Sequence, residues 1–287
     1  MNSYRIPEMA RKYMDYDMIR QHTDLPVFPE FRTHLLYAFL SRHSSLSGYS
    51  ELFSLVTSLV QIGMDTHDLV SITNNAKETK AARSRQLKVL AGDYFSSRFY
   101  YLLSHAGQIE LIGILSNAIC EVNRKKMNLY QRMRQLNLTA DDYIKLSVEI
   151  RAQLYLAFAC LMEESLRHTW PEVLGLFTQC EVLLLEIGRS ESVQQYRDSW
   201  GYWHILHQAS KEEGKHVQAE DPDYAKLRSI WLKYKITPQL YQMLDSCMKQ
   251  LQDKLQTLES KELAKELQLI GEPFARYLST PKALEEI

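Results

Sequence analysis

Chain breakers are scarce in this sequence: ten glycines and eight prolines punctuate 287 residues, about half the usual share. An all-β chain needs a turn about every 8–12 residues, and those turns draw on Gly, Pro, Asn and Asp. The scarcity therefore points to long helices, and the apolar spacing agrees. "FRTHLLYAFL" (31–40) and "YSELFSLVTSLVQIGMDTHDLVSI" (49–72) place apolar residues three and four apart, the signature of a helix face. The same spacing runs through 106–136, 138–166, 170–208, 237–258 and 260–279. Thr139 is an expected N-cap, with Asp141 and Asp142 in the first turn where the helix dipole favours acids. Pro171 suits a first-turn position,. The expectation is an all-α, single-domain bundle of roughly ten helices over residues 1–287. Residues 1–30 form an N-terminal extension or helix, and 214–229, with its Asp221-Pro222-Asp223 turn signal, form a loop,.

Composition excludes several function classes. Hydrophobic residues make up 45%, charged residues 24%, and the net charge is −1. No global positive field exists to hold nucleic acid. The longest apolar run, "LYLAFACLM" (154–162), falls far short of the roughly 20 residues that span a bilayer. "MNSYRIPEMARKYMDYD" lacks the apolar stretch of a signal peptide,. Cys120, Cys160, Cys180 and Cys247 show no paired spacing and read as reduced thiols of a cytoplasmic protein. No phosphate-binding glycine loop, GxSxG or HExxH is present,. His204 and His207 have helical spacing but no third ligand nearby, so a histidine pair at a core edge is favoured over a metal site.

Residues 89–104, "VLAGDYFSSRFYYLLS", carry Leu90, Tyr94, Phe95, Phe99, Leu102 and Leu103 at the spacing of one helix face,. Gly92 and Asp93 interrupt it, although an interior glycine costs roughly 1 kcal/mol relative to alanine. A glycine here implies close approach by a neighbour. Asp93 is expected to be partly buried and paired, with Arg85, Arg98 or a neighbouring backbone as partners. Upstream, "GMDTHDLVSI" (63–72) sets Asp65 and Asp68 one turn apart on one face, with His67 directed elsewhere,. Two such carboxylates could share a magnesium ion with a phosphate. Lys77, Lys80, Arg83, Arg85 and Lys88 then give 77–88 a basic character. Such a run is a solvated face or a patch for diphosphates or an acidic partner, Arg83 and Arg85 being the candidate contacts.

Together, an acidic helical motif, a basic interval and "LAGDYFSSRFYYLL" resemble the trans-prenyl diphosphate synthase family. The resemblance implies an isoprenoid-synthase-like fold, with "SLVQIGMDTHDLV" standing where the family has its His-Asp-Asp-x-x-Asp segment. His67 and Asp68 match that His-Asp, whereas Leu69 and Ile72 occupy the next two aspartate positions. The magnesium site of catalytic members cannot be rebuilt from one carboxylate or from the Asp65/Asp68 pair. The second aspartate motif is also missing: "CEVLLLEIGRSESVQQYRDSWGYW" offers Glu181, Glu186 and Asp198 but no DDxxD.

"MDTHD" followed by "KVLAGDYFSSRFYYLLS", with "RTHLLYAFL" and "EVNRKKMNLY", is similar to the small-subunit family (component 1) of two-component heptaprenyl diphosphate synthases. That resemblance implies a non-catalytic subunit with a degenerate motif at Asp65, His67 and Asp68 and no metal or cofactor of its own. A separate large subunit (component 2) would carry DDxxD and Mg2+. The pair would extend farnesyl diphosphate with isopentenyl diphosphate to a C35 product for the menaquinone side chain, this subunit influencing chain length. The Gly92-Asp93 helix, with Tyr94, Phe95, Phe99 and Tyr100, is then either an inherited packing device or part of the subunit interface. Two alternatives stay open: an independently active enzyme with a divergent metal site, and a helical prenyl-ligand-binding or scaffold protein.

Overall fold

The computed structural model describes residues 4–21, 23–70 and 79–279. Among these there is no β-strand, and no helix is long and apolar enough to cross a membrane. Ile72 and Lys77 lie outside the described residues, as does the side chain of Lys80. The helices are α1 (Ile6–Met14), α2 (Asp17–Arg20), α3 (Glu30–Leu40), α4 (Ser50–Asp68), α5 (Thr79–His105), α6 (Ile109–Arg134) and α7 (Ala140–Leu156). They continue as α8 (Glu164–Arg167), α9 (Thr169–Glu191), α10 (Trp200–Gln208), α11 (Lys211–Gln218), α12 (Tyr224–Lys233), α13 (Ile236–Gln256) and α14 (Lys261–Ser279). Where the sequence reading expects one domain, the contacts group into two compact units. One comprises Met1–Cys120 with Leu154–Trp170, the other Glu121–Gln153 with Pro171–Ile287.

In the first unit, α4 and α5 are the most extensively packed helix pair, with α3 and α1 laid against α4. The N-terminal stretch is part of this core rather than an appendage. Ile6 and Ala10 of α1 and Ile19 of α2 are buried with Tyr37, Leu55, Leu59, Ile62, Ala91 and Phe95. Its hydrophobic burial is what holds two such short helices in place, since helices of this length are marginal alone in water. Tyr155 anchors the same unit from the other side. Its phenol meets the Thr33 hydroxyl at 3.0 Å, and its ring receives the Arg32 guanidinium at 5.3 Å.

Two expectations need correction. The long helix foreseen over 138–166 stops at Leu156 and continues as a 3-10 turn, Ala157–Leu161. The Trp170 indole donates to the Tyr155 carbonyl at 3.2 Å, drawing on an acceptor that an unbroken ladder would use internally,. The loop foreseen over 214–229 is mostly helical. Ser210 and Glu213 form a reciprocal capping box at the start of α11, and the Asp223 carboxylate accepts from Ala225 N at 2.9 Å to start α12,. Only the residues around Asp221-Pro222 break the helix. Counting these short elements, the described residues hold fourteen α-helices in the all-α bundle of roughly ten that the sequence leads one to expect. Thr139 does cap its helix, accepting from Asp142 N at 3.1 Å.

Candidate functional site

The acidic motif occupies the last turn of α4, and the Gly-Asp pair sits midway along α5. The two helices meet glycine to glycine. A methyl built on Gly63 would stand 2.9 Å from the Gly92 carbonyl oxygen and 3.1 Å from Ser96 N. A methyl on Gly92 would stand 2.6 Å from Cε1 and Nε2 of His67. Gly92 is therefore a glycine because the His67 ring lies on it, and Gly63 because the backbone of α5 does.

His67 turns outward along this seam, its Nε2 3.4 Å from Asp93 Oδ1. Asp93 is 66% exposed, so the expectation of a partly buried aspartate partnered by Arg85, Arg98 or a neighbouring backbone is corrected. It stands on the outer rim of α5 and meets the histidine of α4. Asp65 faces the other way. The Gln61 amide donates to its Oδ1 at 2.8 Å, and Gln61 Oε1 in turn accepts from buried Arg32 at 3.2 Å. Asp68 is exposed. Asp65 and His67 thus engage different neighbours. Among the described residues no group of three His, Cys, Asp or Glu side chains gathers at metal-ligand spacing. The donor set does not fit the paired carboxylates a diphosphate-bound magnesium needs.

Along α5 the buried stripe is Ala91, Phe95, Phe99 and Leu103. Phe95 and Phe99 fill their own core and offer no area to a partner, which corrects their place among interface candidates. Leu90, foreseen on the apolar face, is 62% exposed. It lines up with Ser97 and Tyr101 at helical spacing on the outward face, with Tyr100 and Val89 beside them,. Tyr100 meets the Ser116 hydroxyl of α6 at 3.3 Å. Tyr94 is half-buried, its phenol accepting from Arg98 at 3.2 Å beneath the stacked ring of Tyr16. Arg83 is exposed and Arg85 half-buried; two residues apart, they leave the helix in different directions.

In the second unit, the stretch where a second aspartate motif was sought carries Glu186 on α9. This carboxylate is buried and fully engaged. Its Oε1 accepts from the Tyr143 phenol and from Arg189 Nη1, both at 2.9 Å, and its Oε2 accepts from Trp200 N at 2.6 Å. Burial and the neighbouring carboxylate push the Tyr143 phenol well above its usual range,. Glu186 therefore ties α7 and α9 to the first turn of α10. Glu181 is half-buried, and Asp198 sits in a left-handed turn at φ 57°. Sequence reasoning noted Glu186 as an acid but missed Tyr143, Arg189, Gly63 and Gln61. Only Gly63, a second glycine facing the Gly-Asp helix, left a readable sign.

The fold defined by these helices is that of the prenyl diphosphate synthases. The chain superposes on geranylgeranyl pyrophosphate synthase of Lactobacillus brevis with a TM-score of 0.72 at 12% identity, covering 96% of this chain and 91% of that one. The Corynebacterium glutamicum geranylgeranyl pyrophosphate synthase gives 0.70 at 11% identity, covering 96% and 92%. Identities this low speak for fold alone. Sequence narrows the class: the chain belongs to the family described as heptaprenyl diphosphate synthase (HEPPP synthase) subunit 1, which it matches over residues 16–231. A stretch of 74 residues is 39% identical to heptaprenyl diphosphate synthase component 1 of Geobacillus stearothermophilus. That match spans 26% of this chain and 31% of the relative.

Proposed function

We propose that this chain is the non-catalytic, regulatory subunit of a heterodimeric heptaprenyl diphosphate synthase working in the cytoplasm. The observation that carries the reading is the separate engagement of Asp65 and His67. Asp65 is engaged by Gln61 and His67 lies beside Asp93, while Leu69 stands where a second metal-binding aspartate is needed. The carboxylate nearest to a second motif, Glu186, is committed to holding three helices together. Carboxylates engaged in this way are unsuited to neutralising a departing diphosphate.

The partner would be a DDxxD-bearing large subunit that brings Mg2+ and holds the farnesyl and isopentenyl diphosphates. This chain would steady the neighbouring elongation channel and so influence product length, making the C35 precursor of the menaquinone side chain. The outward stripe of α5 is the surface best suited to that partner. Leu90, Tyr101 and Tyr100 put apolar and aromatic area in solvent, the composition of interface cores.

Prenyl transfer tests the reading, with purified chain, farnesyl diphosphate, labelled isopentenyl diphosphate and magnesium, with and without a cognate large subunit. Product from the mixture alone is expected. Long-chain product from this chain by itself would overturn it. Leu90→Lys with Tyr101→Lys should abolish co-elution with the large subunit while lowering the melting of the isolated chain only modestly, because both side chains are mostly exposed and lysine is a good helix former.

A further inference from the structure

The four cysteines, which show no paired spacing in the sequence, fall into two kinds in the fold. Cys120 and Cys160 are exposed, whereas Cys180 on α9 and Cys247 on α13 are buried. Cys180 continues the buried stripe of Val173 and Phe177, and Cys247 that of Leu240, Leu244 and Leu251,. The two stripes bring the thiols together across 67 positions, Sγ to Sγ at 3.4 Å. Both residues belong to the second unit. The Met248 thioether lies 3.8 Å from the Cys180 sulfur. Packing asks only for a small apolar side chain at such positions. Two sulfurs in direct contact add a reaction that two alanines could not perform.

The hydrogen bonds give the two thiols different parts. Cys180 donates its S–H to the Cys247 sulfur, and Cys247 donates onward to the Leu176 carbonyl at 3.5 Å. The bond to Cys247, together with burial, pushes the Cys180 thiol well above its usual range,. A sulfur that accepts a hydrogen bond carries thiolate charge more readily than one that donates it. We propose that Cys180 and Cys247 form an oxidative modification site, closed to an intramolecular disulfide between α9 and α13 by a small hydroperoxide such as hydrogen peroxide. The Cys247 sulfur attacks one peroxide oxygen, the O–O bond breaks, and Cys247 sulfenic acid and one water result. The Cys180 sulfur then attacks the Cys247 sulfur, the S–O bond breaks, and the second water leaves with the Cys180 proton. Two thiols and one peroxide thus give one disulfide and two waters. Burial slows the first step and afterwards shields the bridge from bulky thiol reductants. The inference stands on the thiol pair alone and does not depend on prenyl transfer by a two-subunit complex.

The test uses the full chain with Cys120→Ser and Cys160→Ser, which leaves the buried pair as its only thiols. The folded protein is exposed overnight to hydrogen peroxide, quenched with catalase, unfolded, alkylated and mapped by mass spectrometry. Peptides joined through Cys180 and Cys247, short of two hydrogens, are expected. The oxidised chain should melt higher by roughly 5–10 °C, because the bridge closes a long loop of the unfolded chain. Dithiothreitol should reverse both changes, and faster in urea than in the folded protein. In the same background, Cys180→Ala should leave Cys247 as a sulfenic acid that dimedone traps, whereas Cys247→Ala should leave Cys180 reduced. The reverse labelling would overturn Cys247 as the attacking sulfur. Both thiols recovered free, or Met248 sulfoxide beside two free thiols, would overturn the site itself. That readout comes from the chain with both buried cysteines in place, so it holds whether or not the alanine variants fold.

Discussion

The α4–α5 seam and the Glu186 hub stand in two different units, and both occupy stretches where a prenyl synthase of this fold would carry aspartates. They solve opposite problems. At the seam, close approach of two backbones does the holding: Gly63 and Gly92 remove the side chains that would separate the helices, and the His67–Asp93 contact is left on the wet rim. At the hub, side chains do the holding. Glu186 is 3% exposed and accepts from a phenol, a guanidinium and a helix N-terminus. A carboxylate at the rim is nearly free of structural duty, whereas one at the hub cannot leave without stranding three donors.

The largest effect should come from the hub. Glu186→Ala is expected to destabilise the chain by about 3–5 kcal/mol, because it leaves half-buried Arg189 and buried Tyr143 beside a vacated acceptor,. Urea unfolding measures this, and a loss below about 1 kcal/mol would remove the hub from the argument. Next comes Gly63→Ala. Its new methyl meets the backbone of α5, which cannot rotate away as a side chain can, and a cost of about 1–3 kcal/mol follows. The same substitution at a solvated helical position such as Gly113 should stabilise instead, since nothing lies within 4 Å of a methyl there,. If both substitutions stabilise, the seam is not held by backbone contact.

Much of the helical class was legible from the scarcity of breakers and the apolar period, and the positions of α3, α6, α13 and α14 follow it closely, whereas α5 starts at Thr79, inside the basic run rather than after it. What escaped was long-range. Nothing in "WPEVLGLFTQCEVLLLEIGRSE" tells Glu186 from Glu181, because burial of the former depends on Tyr143, 43 positions away. The capping box at Ser210 was written in the sequence, yet a Pro and a run of charges made the whole stretch read as a loop. At the seam, Gly92 announced a close neighbour without naming it. His67 is the neighbour because it stands in the last turn of α4, which ends at Asp68, with its ring laid over Gly92 of α5.

The pairing on the rim should matter least. Asp93→Asn removes an exposed, partly screened contact and is expected to cost well under 1 kcal/mol. Gly92 offers the sharper reading, through a double-mutant cycle. With His67 present, Gly92→Ala gains roughly 1 kcal/mol of helix propensity and loses a comparable amount to the ring it displaces, so little net change is expected. With His67→Ala the ring is gone, and the same Gly92→Ala should stabilise by up to about 1 kcal/mol. A coupling of that size, read from chemical denaturation of the four proteins, would assign the glycine to the histidine. Equal effects in both backgrounds would mean that some other neighbour requires the glycine, and that the seam is held by the Gly63 contact alone.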